Sequence, residues 1–482
     1  VNPSLQGGLL IAGDRVNRSS GGTHQHIYPA TGRPNATVQL AGPAEIDEAV
    51  ASAWRAHREW MSLTADRRRD LLIDLADAVH ERLDELARLN VHDYAVPISF
   101  AHNAILLERF LRHFAGYVDK PHGLSTPVAE SFDVNLVERE PYGVVGVITP
   151  WNGALVVIAS CVAPALAAGN AVVLKPSEVA PFAALRFGEL CVEAGLPAGL
   201  VNVVPAGPEG GDSLVRHPGI RKVHFTGGGA TARKVVEAAA TNLTPVVTEL
   251  GGKSAMIVFD DADLDAAAIL SAHQGPLIQS GQSCACASRI LVHESVYDAF
   301  AERFVGILRA AKAGDPFDPG VVFGPVISQA AADRIITEID DAVTTKAGEL
   351  LTGGTRLGGE LAAGYYIEPT AFGGVDNAST LAQTETFGPV VSLMRFGDEA
   401  EAVRIANDTP YGLNAFVQTR DVSRAHRVAR RLEAGSVWIN TFSDISPQGP
   451  YGGFKQSGFG RTGGLEGLYE FLQVKNIRIG MG

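Results

Sequence analysis

The sequence predicts an α/β fold made of two doubly wound domains. Three observations carry this: a 482-residue length, a run of short apolar strands alternating with helical stretches from Tyr142, and a second such run from Ala255. At roughly 100–200 residues per domain the chain is too long for one core. Continuous β-branched strands between helices imply parallel sheets covered on both faces.

The N-terminal third reads differently. From Ile46 to Phe114 apolar residues recur three or four apart among many charges, as Leu71, Leu72, Leu75, Ala76 and Val79 show, so this region is expected to be helical. Pro127 to Glu140 alternates and reads as exposed antiparallel strand. The first series then runs GVVGVIT, a helix from Ala154, AVVLK, a helix from Pro181, LVNVV, a short helix, KVHFT, a helix from Gly229, and TPVVTEL. The second comprises AMIVF, RILVH, VVSLMRF, AFVQT and SVWIN, with helices such as Val296 to Ala311 between them. The boundary falls near Gly252, and Gln473 to Ile479 is read as a final edge strand.

Composition removes several functions. Apolar residues make up 46% and charged residues 19%, which fits a globular protein rather than a disordered one. No apolar run of about 18 residues exists to span a bilayer. The net charge of −13 gives no basic footprint for nucleic acid or anionic lipid. Val1 to Ser20 carries Asp14, Arg15 and Arg18 and no uninterrupted apolar stretch, so no secretory signal is expected. Four cysteines in so long a chain make no disulfide framework, and a soluble protein of the reducing cytoplasm is expected. Cys161 and Cys191 lie in apolar helical stretches and read as buried, inert thiols. Cys284 and Cys286 lack a neighbouring His or Cys cluster, so no metal site is expected.

Gly458-Phe-Gly460-Arg-Thr-Gly463 fits the G-x-G-x-x-G pattern. No apolar strand feeds into it and no βαβ unit surrounds it, so it is read as a loop, not a phosphate cradle. The polar strand ends are more informative. Thr149-Pro-Trp-Asn152, Lys175-Pro-Ser-Glu178, Phe225-Thr-Gly-Gly228 and Glu249-Leu-Gly-Gly-Lys253 end the first, second, fourth and fifth strands. Open α/β sheets bind ligands at such ends.

With those segments in view, the chain resembles the aldehyde dehydrogenase superfamily from about Tyr28 to Val474. The matching motifs are TPWN (149–152), APALAAGN (163–170), KPSE (175–178), FTGG (225–228), ELGGKS (249–254), GQSCACASR (281–289), ETFGPV (385–390), PYGL (410–413) and PYGGFKQSG (450–458). The resemblance implies two Rossmann-like domains with a small β oligomerisation arm. It divides the chain into an NAD-binding domain (1–121 and 141–252), a catalytic domain (253–453) and an arm (122–140 and 454–482).

The resemblance also implies a chemistry, the NAD(P)-dependent oxidation of an aldehyde to a carboxylic acid. Cys284 falls on the nucleophile, whose thiolate attacks the carbonyl. Asn152 falls on the oxyanion donor. Glu249 falls on the base that activates water against the thioester, and its presence implies a free acid rather than transfer to coenzyme A. Lys175 is counted with this catalytic set and with the cofactor residues. Lys175 and Glu178 match the adenosine-ribose ligands, and a carboxylate there favours NAD over NADP. The rest of the implied cofactor set is Ile148, Thr149, Pro150, Trp151, Ser177, Gly207, Gly211, Phe225, Thr226, Gly227, Gly228, Leu250, Gly251, Glu385 (nicotinamide ribose) and Phe387 (ring packing).

Two departures stand out. Gly228 and Ala232 occupy positions where relatives often have a serine and a glycine, which removes a pyrophosphate hydrogen bond. The Glu249–Cys284 interval is one residue longer than usual. The implied substrate tunnel comprises Gly153, Val157, Ser160, Ser283, Ala285, Ile445 and Tyr451, several of them small, so a bulky or aromatic aldehyde is expected to fit better than acetaldehyde. No carboxylate cluster marks a cationic substrate, and Cys286 is read as a bystander. The strand near Ser125–Glu140 and the terminal strand near Val474 imply a homodimer or homotetramer. A non-catalytic relative would be expected to have lost Cys284, Asn152 or Glu249. A cofactor-free cysteine hydrolase would need a histidine base that no motif supplies.

Overall fold

The computed structural model describes residue 5 and residues 7–481; residues 1–4, 6 and 482 of the expected domain ranges lie outside the described residues. Two large sheets carry the architecture. The first has eight strands in the order Gly458–Phe459, Val246–Glu249, Lys222–Thr226, Val144–Ile148, Ala171–Lys175, Val201–Val203, Leu9–Ile11 and Asp14–Val16. The five central strands are parallel, and the flanking ones are antiparallel. The strand first in the chain among these five, Val144–Ile148, lies between strands that continue in opposite directions across the sheet. The crevice at its carboxyl end is therefore the topological switch point.

The second sheet has seven strands ordered Glu349–Thr352, Thr370–Gly373, Val390–Phe396, Arg289–His293, Ala255–Val258, Asn414–Gln418 and Ser436–Ile439. All neighbours are parallel except the first pair. Its side chains show why an unbroken apolar strand is needed. Ala255 and Ile257 pack into one core, while Met256 and Val258 pack into another on the opposite face. The first sheet is covered by helices such as Pro43–Ser62, whose buried Trp60 donates its indole N–H to the Leu166 carbonyl at 3.1 Å.

Three local expectations need correction. The alternating stretch 127–140 is not strand throughout: Leu124–Thr126 and Val134–Pro141 are strands, and the residues between turn the chain. Pro127 offers no N–H to a ladder and stands where the first strand stops. The segment 454–482 does not belong to the arm alone. Leu472–Ile479 pairs with Val134–Pro141, but Gly458–Phe459 adds a short edge to the first sheet against Thr248 and Glu249. Gly458 has φ +117°, and a Cβ there would stand 2.0 Å from the Thr248 carbonyl oxygen, so only glycine allows this approach. The G-x-G-x-x-G segment is thus an edge strand and turn rather than a plain loop. The helix beginning at Ala154 contains a π-helical turn at Ile158–Val162.

Arg289 is the fold's most demanding side chain. It is 1% exposed, yet none of its hydrogen-bond partners among the described residues is a carboxylate. Its guanidinium donates to the carbonyls of Lys253 (2.8 Å), Ile405 (2.9 Å) and Ala406 (2.7 Å) and to Asn377 Oδ1 (2.9 Å). Ile405 and Ala406 lie in the last turn of helix Glu399–Asn407, where free carbonyls and the helix dipole favour a cation. Burial nevertheless lowers the Arg289 pKa to about 10. Arg289→Ala would strand three buried carbonyls. It is expected to cost about 3 kcal/mol, measured as a fall in the chemical denaturation midpoint; a midpoint within error of the parent would refute that role.

Candidate active site

The sulfur of Cys284 sits on a loop that would be unstable without its anchors. Gln279, Ser280 and Gly281 have φ of 47°, 56° and 71°, a left-handed run that two non-glycine residues adopt only under constraint. The constraint is visible. Ser280 Oγ donates to the Gly324 carbonyl (2.7 Å), and Gln282 Nε2 donates to the Pro325 carbonyl (3.2 Å) while its Oε1 accepts from Ile327 N (2.8 Å). On the far side of the sulfur, Gln274 Nε2 donates to the Ala285 carbonyl (3.1 Å), and its oxygen accepts from Ser443 N (3.1 Å). A Cβ on Gly281 would lie 1.9 Å from the Gly388 carbonyl oxygen, so the turn tolerates no side chain there.

Asn152 reaches this loop from the switch-point strand: its Nδ2 donates to the Gln282 carbonyl at 2.8 Å. An amide nitrogen has two N–H groups, so one is held by the loop and the other is left for a ligand oxygen. Tyr451 closes another side, with its hydroxyl 3.9 Å from Cys284 Sγ and 3.1 Å from Asn414 Nδ2. Glu249, at the end of its strand, is 5% exposed, and neither carboxylate oxygen has a hydrogen-bond partner among the described residues. Burial therefore holds its pKa well above the ordinary carboxylate value, against the pull of Arg461. The Cys284 thiol is pushed up to about 11 by burial first and then by the charges of Glu385 and Glu249.

The residues of the implied cofactor set lie at strand ends of the first sheet and on neighbouring loops. Thr149 N donates to the Lys175 carbonyl (3.0 Å), joining two strand ends, while Thr149 Oγ1 is buried without a partner. Ile148 and Phe225 are buried strand residues, Pro150 is half-buried, and Thr226 ends its strand. Trp151 meets the Phe387 ring edge-on at 5.7 Å, and Phe387 itself has φ 49°. Lys175 Nζ donates to the Pro176 carbonyl (3.2 Å); burial lowers its pKa, opposed by Glu178. Ser177 Oγ is 3.5 Å from Glu178 Oε2. A Cβ on Gly211 would meet Lys175 Cε at 3.3 Å, whereas Gly207 and Gly228 face open space. Gly227 N donates to the Glu249 carbonyl (3.1 Å), and Leu250 N to the Ser457 carbonyl (3.1 Å). Glu385 Oε1 accepts from Gly252 N (3.1 Å), and a Cβ on Gly251 would lie 1.9 Å from Glu385 Oε2. Glu385, Gly251, Leu250, Gly229 and Ala232 share one cleft of about 560 Å³.

Among the implied tunnel residues, Ser160 and Tyr451 are more than nine-tenths buried. Val157 and Ile445 are half-buried against the first domain's core, and Ala285 is buried. Gly153 faces open space, and Ser283 Oγ accepts from Ala285 N (3.2 Å). Glu108 is held by His80 and Arg112, each at 2.9 Å, and Asp444 is exposed. Cys286 donates to the Gly275 carbonyl at 3.2 Å, and burial raises its pKa to about 12. Among the described residues no group of three or more His, Cys, Asp or Glu side chains could hold a metal ion. The sequence reading gave no role to Gln274, Gln282 or Arg461. Gln282 sat in a quoted motif, but a single side chain serving three backbone groups leaves no periodic trace.

A doubly wound sheet whose switch-point crevice opens onto a half-buried thiol on a loop of a second such sheet defines a class of two-domain, thiol-centred α/β enzymes. Comparison narrows this. The aldehyde dehydrogenase family profile matches residues 16–477. A Burkholderia cenocepacia protein assigned to the aldehyde dehydrogenases is 41% identical, with 98% of this chain and 97% of that chain covered and a TM-score of 0.95. The betaine aldehyde dehydrogenase of Staphylococcus aureus, crystallised with NAD+, is 35% identical over 99% and 96% of the two chains, with a TM-score of 0.96. PnpE from Pseudomonas sp. WBC-3 is 38% identical over 98% and 97%, with a TM-score of 0.95, and it too has been crystallised with nicotinamide adenine dinucleotide. The chain belongs to the aldehyde dehydrogenase family and is an NAD(P)-dependent enzyme of that family.

The crevice fits that cofactor: it offers an orphaned buried hydroxyl at Thr149, glycines at 207 and 228 with no neighbour in the way, and Glu385 on the wall of an open cleft. In the cofactor-free protein, alkylation of Cys284 by iodoacetamide is expected to rise about tenfold per pH unit from pH 8 to 10, because the thiolate fraction grows at that rate below the raised pKa. A rate that levels off between about pH 9 and 10, followed by mass spectrometry of the Cys284 peptide, would show the thiol to be unperturbed.

Proposed function

We propose that the protein oxidises a bulky, mainly apolar aldehyde to the free acid with NAD+, through a thioester on Cys284 that water cleaves with Glu249 as base. The observation that carries this reading is the convergence of three groups from separate elements on one half-buried sulfur. Asn152 bonds the Cys284 loop, Tyr451 contacts the sulfur, and Glu249 lies close enough for its charge to raise the thiol pKa.

In this reading the Cys284 thiol first yields its proton to water, the thiolate adds to the aldehyde carbon, and the C–S bond forms as the C=O π pair moves onto the carbonyl oxygen. The free N–H of Asn152 and the Cys284 backbone N–H receive that oxygen, and a preorganised donor of this kind contributes about 3 kcal/mol. Bound NAD+ supplies the hydride acceptor for the next step, which leaves a thioester on Cys284. Glu249 then takes a proton from water, the water oxygen adds to the thioester carbon, and the C–S bond breaks with its electron pair returning to sulfur. Lys175 and Glu178 would hold the adenosine ribose, Glu385 the nicotinamide ribose, and Thr149, Gly207, Gly211 and Gly228 the span between. The half-buried carboxylate of Glu178 favours NAD+ over NADP+ because it accepts from a 2′-hydroxyl and repels a 2′-phosphate.

The domain assignment belongs to the same reading: the first sheet with its helices as the NAD-binding domain, the second as the catalytic domain. Gly153, Val157, Ser160, Ser283, Ala285, Ile445 and Tyr451 line the proposed tunnel, and the open space at Gly153 supports its breadth. The S. aureus relative is a betaine aldehyde dehydrogenase, but here neither Glu108, occupied by His80 and Arg112, nor exposed Asp444 is available to grip a cation in the tunnel.

Cys284→Ala is expected to abolish NADH formation while NAD+ still binds, and Asn152→Ala to lower kcat/KM by about 10²–10³. With wild-type protein, kcat/KM for benzaldehyde is expected to exceed that for acetaldehyde and for betaine aldehyde by at least about tenfold, a difference of about 1.4 kcal/mol in transition-state binding. Equal or reversed values, followed at 340 nm, would remove the substrate assignment.

Assembly is proposed on the three-stranded arm. Leu124, Val134, Val474, Ile479 and Met481 expose apolar side chains there, and Phe132 is 98% exposed at the hairpin tip. A second copy would cover them and the free sheet edge. Light scattering is expected to give a dimer or tetramer; a stable monomer at micromolar concentration would reject it.

A further inference from the structure

The glycine-rich segment 458–463, first set aside as a phosphate cradle that is not one, packs against the carboxylate of Glu249. Glu249 pairs with Gly458 across the antiparallel edge. A Cβ on Gly452 would stand 2.7 Å from Glu249 Oε1, 2.8 Å from Arg461 Cδ and 2.8 Å from the Gly460 carbonyl oxygen. The carboxylate and the arginine stem therefore share the space that a single methyl group would fill. Arg461 is fixed there, since its Nη1 donates to the carbonyls of Gly453 (3.1 Å) and Gly460 (2.6 Å) and its guanidinium faces the Phe454 ring at 5.5 Å.

A carboxylate of the opposite influence stands behind it. A Cβ on Gly460 would lie 3.1 Å from Glu470 Oε1 and 2.8 Å from Val247 Cγ1. Val247 is two residues before Glu249 on one strand, so both side chains project to the same face. Glu470 itself is paired with the buried Lys222 at 2.9 Å. Around Glu249 the other titratable groups among the described residues are Cys161 from the π-turn, His224 on the adjacent strand against that cysteine, Cys284 from its loop and Tyr451. Burial keeps all four uncharged at neutral pH, so the charged neighbours that act on Glu249 are Arg461 and Glu470.

We propose that Arg461 and Glu470 are positioning residues for thioester hydrolysis, setting between them the pH at which Glu249 can accept a proton from water. This rests on the reading of Glu249 as the base. A buried carboxyl without hydrogen bonds stays protonated and cannot activate water. The guanidinium favours the ionised form, and the Glu470 carboxylate opposes it. The two side chains should therefore move the same titration in opposite directions, which no loss of packing would do.

The test uses the full-length protein acylated on Cys284 with p-nitrophenyl acetate, freed of excess ester, and followed by intact mass as the acetyl group is lost between pH 5.5 and 9.5. Below the midpoint the wild-type rate rises with pH. Arg461→Met is expected to move that midpoint up by about one pH unit, a tenfold loss at a fixed acidic pH that is recovered at high pH. Arg461→Lys should restore most of the shift, and Glu470→Gln should move the midpoint down. A folded Arg461→Met protein with the wild-type midpoint overturns the proposal. If that variant does not fold, Glu470→Gln decides, and an unmoved or raised midpoint overturns it. Glu249→Gln separates the two levels: undiminished acetyl loss in that variant refutes the base itself, whereas slow loss there with unmoved midpoints in the others refutes only the tuning.

Discussion

The hydrogen bond from Asn152 to the Gln282 carbonyl joins the two halves of this protein at the point where chemistry is expected. It runs from the switch-point strand of one sheet to the strained loop that feeds a strand of the other. Each side depends on its own scaffold. Asn152 is placed by the end of Val144–Ile148, a fully buried parallel strand. Gln282 is placed by bonds to Gln279, Pro325 and Ile327. Because both anchors are rigid, the sulfur two residues on stays within a narrow position relative to the amide. This suits a reaction in which a donor must already face the developing charge.

The same junction explains why the site's acid–base groups are displaced from their ordinary values. Glu249 and Tyr451 are buried and Cys284 is half-buried, and each loses solvent that would stabilise its ionised form. Arg289 shows a different solution: a buried cation made tolerable by carbonyls at a helix end, used to hold the strand that follows the Cys284 loop.

The fold was readable in the sequence where period and apolarity were unambiguous. The runs AVVLK, KVHFT, AMIVF and RILVH are strands at the expected places, because side chains that must fill a core on both faces leave an unbroken apolar record. The alternating stretch before Glu140 was less faithful, since a turn after Pro127 preserves alternation without preserving the ladder. The glycine-rich tail is a loop as read, apart from the two-residue strand Gly458–Phe459, whose partner its spacing did not disclose. Gly458 and Gly460 are there so that backbone can approach Thr248 and Val247, but a spacing of glycines does not state what approaches them.

By itself the sequence determined the two-domain α/β plan and the motifs that resemble the aldehyde dehydrogenases, because these depend on local residue order. Only the tertiary structure decided what stands beside each functional atom. Tyr451 lies 167 positions from Cys284, Gln282 lies 130 from Asn152, and Lys222 lies 248 from Glu470. Such pairings are set by strand order and loop packing rather than by spacing along the chain. Burial, and with it the protonation of Glu249 and Cys284, is a property of those assembled neighbours.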